Sequence, residues 1–353
     1  TSYCWYGRCS SLMASSRFMF RYVNGIPIYN IWDNDFGVIR EGKFLQLFES
    51  QISTENVNIH NLCIFDCTNE GIGTNDIEIM MDAISASFPN LEVRVLFNIS
   101  TAISTAYRHI CFPEHMVAHC GFVKHVGAMS IDWENIAINK HFISLQRRAS
   151  VTRARFTKKL LSTFDKHRYI ISCGSHPNKW LRELHGLKEA FHPYKMPILV
   201  DGTIDSDSEQ HFHTNVNFFE CMVNVITETS SQTDADSWRE IFLTEKTFKA
   251  FAYRQMPLWF AVPNTVQTVR DLGFDVFDDI IDHSYDLIDD ESERMDAVVN
   301  VLDGFCNTYP TNEELNKLRV KLWQRISNNM QLLDKLASVH RITKHNHILE
   351  LIK

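Results

Sequence analysis

The chain has 353 residues, 44% of them hydrophobic, which is enough to build two cores and marks it as globular rather than disordered. Its net charge of −8 disfavours tight duplex-DNA binding by the whole surface, although a local basic cleft is compatible with it. Nine cysteines, an odd number scattered along the chain, suit reduced thiols in a cytosol-like compartment better than a disulfide framework, and the close pairs Cys4/Cys9 and Cys63/Cys67 have no second pair at zinc-ribbon spacing.

In chain order, Leu62–Asp66 and Val93–Phe97 are short apolar runs with strand character. Between them, Asp76–Ile84 has helical apolar spacing. The run Val117–Val126 offers a further strand. A second series begins at His141–Gln146. It continues through a helix from Thr152 to Phe164, a strand at Tyr169–Ser172, an apolar strand at Val225 leading into Glu228-Thr229-Ser230, a short helix opening at Thr244-Glu245-Lys246, and a strand at Met256–Val262. Strands alternating with helices imply parallel βαβ units. The spacing therefore predicts two Rossmann-like halves, residues 1–139 and 140–311. Residues 312–338 lack Gly and Pro and read as a helix, which makes 312–353 a C-terminal helical extension.

Basic residues crowd Arg147, Arg148, Arg153, Arg155, Lys158 and Lys159, while 275–296 is acidic. The helix from Thr152 follows directly on a strand, so its first turn, with Arg153, opens at the carboxyl edge of a parallel sheet, where ligands bind. Lys246 stands in the first turn of its own helix, the end at which the helix dipole disfavours a cation. An anionic group nearby would compensate, and helix N-termini accommodate phosphate.

The order of Val225-Ile226-Thr227-Glu228-Thr229-Ser230, a polar loop, Ile241-Phe242-Leu243-Thr244-Glu245-Lys246 and a second strand resembles the donor-binding half of the family 10 glycosyltransferases, the α1,3-fucosyltransferases. It is also similar to related glycosyltransferases of large DNA viruses and phages, in which Leu272-Gly273-Phe274 and Asp282-His283-Ser284-Tyr285-Asp286 have counterparts. The resemblance covers roughly residues 140–290. It implies a GT-B type α/β fold, two Rossmann-like domains facing a cleft, and an inverting transfer of a fucose-like sugar from a nucleotide donor, GDP-linked, to a hydroxyl of a glycan acceptor. Carried over, Arg153 and Lys246 would neutralise the donor diphosphate, with Arg147 and Arg148 matching the viral Arg-Arg pair. Glu245 would hold hydroxyls of the ribose or the sugar. Glu228 belongs to the same donor motif. Thr229 stands where the family has Asn, and Phe242 where it usually has Tyr, so donor identity is less fixed than donor binding.

An inverting transfer needs a base for the acceptor proton, expected from the first half, where Asp66 at a strand end and Glu70 in the following loop are the candidates. No Asp-x-Asp occupies a convincing strand end, Asp205-Ser206-Asp207 reading as a polar turn. His109, His115, His119 and His125 fit no single helix face with a third ligand. No metal or other cofactor beyond the nucleotide sugar is therefore expected. Absence of a run of about twenty apolar residues and of a signal-peptide pattern sets an expectation of a soluble, cytoplasmic enzyme, in a host cytoplasm if viral. Two alternatives stand beside this reading: a glycosyltransferase acting on modified DNA bases, and a non-catalytic binding or virion-structural protein that keeps the fold.

Overall fold

The computed structural model describes residues 20–31, 42–59, 61–68, 74–97, 107–112, 136–146, 150–174, 192–194, 198, 218–228 and 241–353. The run proposed as a strand at 117–126 lies outside them. The fold is α/β, and parallel pairing dominates both of its sheets. The chain divides into two compact units, Thr1–His115 with Arg341–Lys353, and Met116–His340. Among the described residues no helix is long and apolar enough to cross a membrane.

The first unit carries a five-stranded sheet in the order β1 (Phe20–Val23), β2 (Ile26–Asn30), β3 (Leu62–Cys67), β4 (Glu92–Phe97), β5 (Arg108–Cys111). Helices α1 (Phe44–Thr54) and α2 (Thr74–Ser87) intervene. Strands β2 to β5 pair in parallel, and β1 is added antiparallel to β2. The hairpin turn is Asn24-Gly25, both at positive φ (50° and 79°), the conformation that a two-residue hairpin requires. One side of the sheet is closed by an aromatic cluster in which Tyr29 meets Phe44, Phe48 and Phe65 at ring-centroid distances of 6.0, 5.1 and 5.6 Å. A second cluster joins Ile28, Ile64, Leu96 and Phe112 to Ile348 and Leu351, so the last residues of the chain complete this core.

The second unit has a four-stranded, wholly parallel sheet in the order β7 (Tyr169–Cys173), β6 (Lys140–Gln146), β8 (Cys221–Thr227), β9 (Met256–Phe260). Helix α3 (Val151–Thr163) follows β6, α4 (Glu245–Ala252) follows β8, and α5 (Thr265–Asp271) follows β9. Then come α6 (Glu291–Thr308) and α7 (Asn312–Ile352). The expected terminal helix is thus longer than 312–338, and α6 was not anticipated. It opens on Asp290, whose side chain accepts from the Glu293 N–H, and it buries Met295, Val298, Val299, Leu302, Phe305 and Cys306 at helical spacing. Helix α7 opens with a reciprocal capping box: the Thr311 N–H donates to Glu314 Oε2 and the Glu314 N–H to Thr311 Oγ1.

Successive residues of β9 point to opposite faces. Phe260 stacks on Phe156 of α3 (centroids 4.6 Å apart), whereas the Trp259 indole donates to Thr247 of α4 (3.0 Å), which places α3 and α4 on opposite faces of the sheet. This is what right-handed crossovers dictate when β6 leads outward to β7 and β8 leads the other way to β9.

Part of the acidic stretch 275–296 is spent on ion pairs within this unit. Arg325 of α7 meets Asp275 (2.6 Å) and Asp279 (2.8 Å), and Arg270 meets Asp278 (2.8 Å). The basic helix α3 takes only part of it, through Lys159 to Asp296 and Thr152 to Glu291.

Candidate functional site

The order β7-β6-β8-β9 puts a topological switch point between β6 and β8, because the chain leaves those two neighbours in opposite directions. The crevice beyond the carboxyl ends of such strands is where open parallel sheets bind ligands. Inside the sheet edge, Gln146 at the end of β6 donates through Nε2 to Thr227 Oγ1 at the end of β8 (2.6 Å) and to Ser144 Oγ (3.1 Å), tying the two strands together. A buried amide and hydroxyl that satisfy one another cost the core little, and here they fix the spacing of the two strand ends.

Two helix N-termini open at this edge. Ser150 caps α3, its side chain accepting from the Arg153 N–H (3.2 Å). Thr244 caps α4, accepting from the Lys246 N–H (3.3 Å). Arg153, only 6% exposed, sends Nη2 across the switch point to the carbonyls of Thr227 (3.4 Å) and Glu228 (3.2 Å). The guanidinium of one helix is therefore fixed on the strand end that feeds the other.

Glu228 is 1% exposed, and its carboxylate faces α4. Oε1 accepts from the Thr244 N–H (3.2 Å) and from Thr247 Oγ1 (2.7 Å), while Oε2 accepts from Thr244 Oγ1. Thr247 Oγ1 in turn accepts from the Trp259 indole, so the first turn of α4 is fastened to both β8 and β9. Lys246 rests with Nζ 3.0 Å from Thr244 Oγ1 and 3.6 Å from a Glu245 carboxylate oxygen, its side chain 30% exposed. The unfavourable charge–dipole placement expected from the sequence is thus partly relieved by Glu245. Phe242 is buried, beside buried Leu243, in the segment that enters the cap.

Arg153, Glu228, Phe242, Glu245 and Lys246 consequently belong to one neighbourhood, whereas Arg147, Arg148 and Thr229 lie outside the described residues. The sequence reading assigned no role to Ser150 and Thr244, which cap the two cation-bearing helices, or to Gln146 and Thr247, which bond the residues at the end of β8. The hydroxyl caps were legible as Ser-x-x-Arg and Thr-x-Lys at helix starts. The Gln146–Thr227 bond spans separate strands and leaves no local signal.

The two remaining motifs also find structural roles. Gly273 ends α5 at φ 92°, and Phe274 stacks on Phe251 of α4 (4.3 Å). Tyr285 is buried and accepts the Trp259 N–H at its hydroxyl (3.3 Å), while Asp286 caps α5 from a distance, taking the N–H groups of Val266 and Gln267 at 3.1 Å each. A cavity of about 620 Å³ opens among Asn264, Arg270, Asp278, His283 and Asp286, and no residue assigned to the donor from the sequence lines it.

In the first unit, Asp66 ends β3 and is fully buried. Oδ2 lies 2.8 Å from Lys344 Nζ and 2.9 Å from Arg21 Nη2, and Oδ1 accepts from the Thr68 N–H (3.2 Å) and hydroxyl (2.6 Å). Burial alone pushes this carboxyl up, but the charges of Lys344 and Arg21 and the hydrogen bonds from Lys344 and Thr68 outweigh it and hold its pKa below the ordinary value. Such a carboxylate is committed on both oxygens. Glu70 lies outside the described residues, as do Asp205, Asp207, His115, His119 and His125. His109 contacts the Tyr107 carbonyl (2.9 Å) and packs on Phe97. Among the described residues no group of three or more His, Cys, Asp or Glu is placed to hold a metal ion. Cys63, Cys67, Cys173 and Cys306 are free thiols, and burial raises the pKa of each.

Comparison with protein-family models, with curated proteins and with solved structures finds no match to this chain.

Proposed function

We propose that the chain is a nucleotide-sugar-dependent glycosyltransferase whose donor diphosphate sits at the switch point between β6 and β8. The observation that carries this reading is the convergence of Arg153 and Lys246, from helices on opposite faces of the sheet, at the end of β8, joined there through Glu228. Two cations and two helix N-termini on one crevice suit a ligand carrying several negative charges. They also suit the chemistry, since glycosyl transfer builds charge on the departing nucleoside diphosphate as the sugar becomes oxocarbenium-like, and fixed cations stabilise that charge without reorganising.

In this reading the second unit holds a donor, GDP-linked and fucose-like by resemblance, and the first unit supplies the acceptor side of a GT-B enzyme. Inversion requires a base on that side. Asp66 has both oxygens committed to Lys344, Arg21 and Thr68, so of the two proposed carboxylates Glu70 is the one this reading favours. Calorimetric titration of the full chain with GDP, UDP, CDP and ADP is the direct test. Micromolar to millimolar binding of one of them, abolished or weakened in Lys246→Ala, supports a donor site. A folded protein that binds none of the four supports a non-catalytic role instead.

A further inference from the structure

We infer that Glu228 is a positioning residue that sets the geometry of the anion-binding turn and makes no contact with the nucleoside or sugar of the donor. The inference rests on the donor-site reading above and revises one residue within it. Among the described residues, every hydrogen bond to the Glu228 carboxylate comes from the start of α4: the Thr244 N–H and hydroxyl and the Thr247 hydroxyl. A carboxylate offers about four lone-pair sites on two oxygens, and three are taken by buried donors. The residue is 1% exposed, so the remaining lone pair, on Oε2, is shut off from a ribose or sugar hydroxyl by burial.

The same residue acts on the other cation by its main chain, since its carbonyl accepts from Arg153 Nη2 (3.2 Å). Residue 228 is therefore the shared anchor of both cation-bearing helix starts, one by its side chain and one by its backbone. Shortening the side chain leaves the Arg153 contact available but releases the turn that presents Lys246. The phosphate contacts, not the nucleoside contacts, then suffer.

Inorganic pyrophosphate, which has neither ribose nor sugar, separates the two roles. Titrations of wild type, Glu228→Ala, Glu228→Gln and Thr247→Val are run against pyrophosphate and against GDP. The expected result is that Glu228→Ala weakens both ligands by the same factor, about tenfold to a hundredfold. Glu228→Gln, whose amide oxygen can still accept at the Oε1 position, should restore most of that loss, and Thr247→Val should weaken both ligands equally and by less. A variant that loses GDP affinity while pyrophosphate binding stays intact overturns the inference, as does unchanged affinity for both ligands in Glu228→Ala. Should Glu228→Ala fail to fold, Thr247→Val decides: an equal loss for both ligands supports the inference, and unchanged affinity for both or a loss confined to GDP overturns it. Wild-type protein that binds neither ligand removes the donor-site reading and this inference together, whereas wild-type binding with an unequal ratio removes the inference alone.

Discussion

Lys344 Nζ, near the end of α7, lies 2.8 Å from Oδ2 of Asp66 at the end of β3, with the carboxylate fully buried and the lysine side chain 12% exposed. Arg21 approaches the same oxygen at 2.9 Å, so one buried anion is shared by two cations drawn from opposite ends of the chain. Around this pair, Ile348 and Leu351 enter the core of the first unit, and Arg94 and Arg108 bond the carbonyls of Leu351 and Glu350.

Asp66→Asn therefore reports on structure before it reports on catalysis. It leaves Lys344 buried without its counter-charge, which should cost about 3–5 kcal/mol of unfolding free energy. Urea denaturation of the purified variant measures this. A variant of unchanged stability and sharply reduced turnover would restore Asp66 as the base.

The same carboxylate gives an acid limb to the stability curve. Its folded-state pKa is depressed, so its contribution is present above the unfolded-state value and is lost as pH falls through the folded-state one. Thermal melts should therefore show wild type losing stability below a pH of about 4, with that part of the slope missing in Asp66→Asn. Superimposable acid limbs in the two proteins would contradict it.

Lys246→Ala and Arg153→Ala should each weaken nucleoside-diphosphate binding by about 1.5–3 kcal/mol, the worth of a charge-assisted hydrogen bond. The two should differ in stability. Lys246 is partly exposed and its loss should barely move the melting temperature. Arg153 is buried against the carbonyls of Thr227 and Glu228, and its removal should lower it. Equal, undiminished affinities in both variants would remove the phosphate site from this crevice.

If Arg153 and Lys246 carry the charge of the leaving diphosphate, transfer activity should survive EDTA at least in part. Measuring sugar transfer before and after chelation, with a magnesium or manganese add-back, decides the point. Complete loss that is reversed by metal would give that task to a metal ion and turn attention to Asp205 and Asp207.

Much of the secondary structure was legible in the sequence because it is local. Leu62–Cys67, Glu92–Phe97, Lys140–Gln146 and Met256–Phe260 are short apolar runs, and α2 and α3 repeat their apolar residues at helical spacing. So was the neighbourhood of the cations, since a helix that follows a parallel strand must start at the sheet's carboxyl edge. The β1–β2 hairpin had its Asn24-Gly25 signal, and α6 its buried stripe from Met295 to Cys306, but an acidic stretch reads first as a solvated face.

The tertiary structure decided what no local pattern encodes. Pairing β6 with both β7 and β8 created the switch point, and only then did Gln146 meet Thr227 and Arg153 meet Glu228. Glu228 read as part of a donor-binding motif, yet its carboxylate faces Thr244 and Thr247, which lie sixteen and nineteen positions along the chain and so are hidden from any periodicity. Asp66 looked like a strand-end carboxylate open to a cleft, and it is buried because Arg21 and Lys344 supply the counter-charges that make burial tolerable. Charge compensation of this kind is a property of distance in space, and sequence carries distance only along the chain.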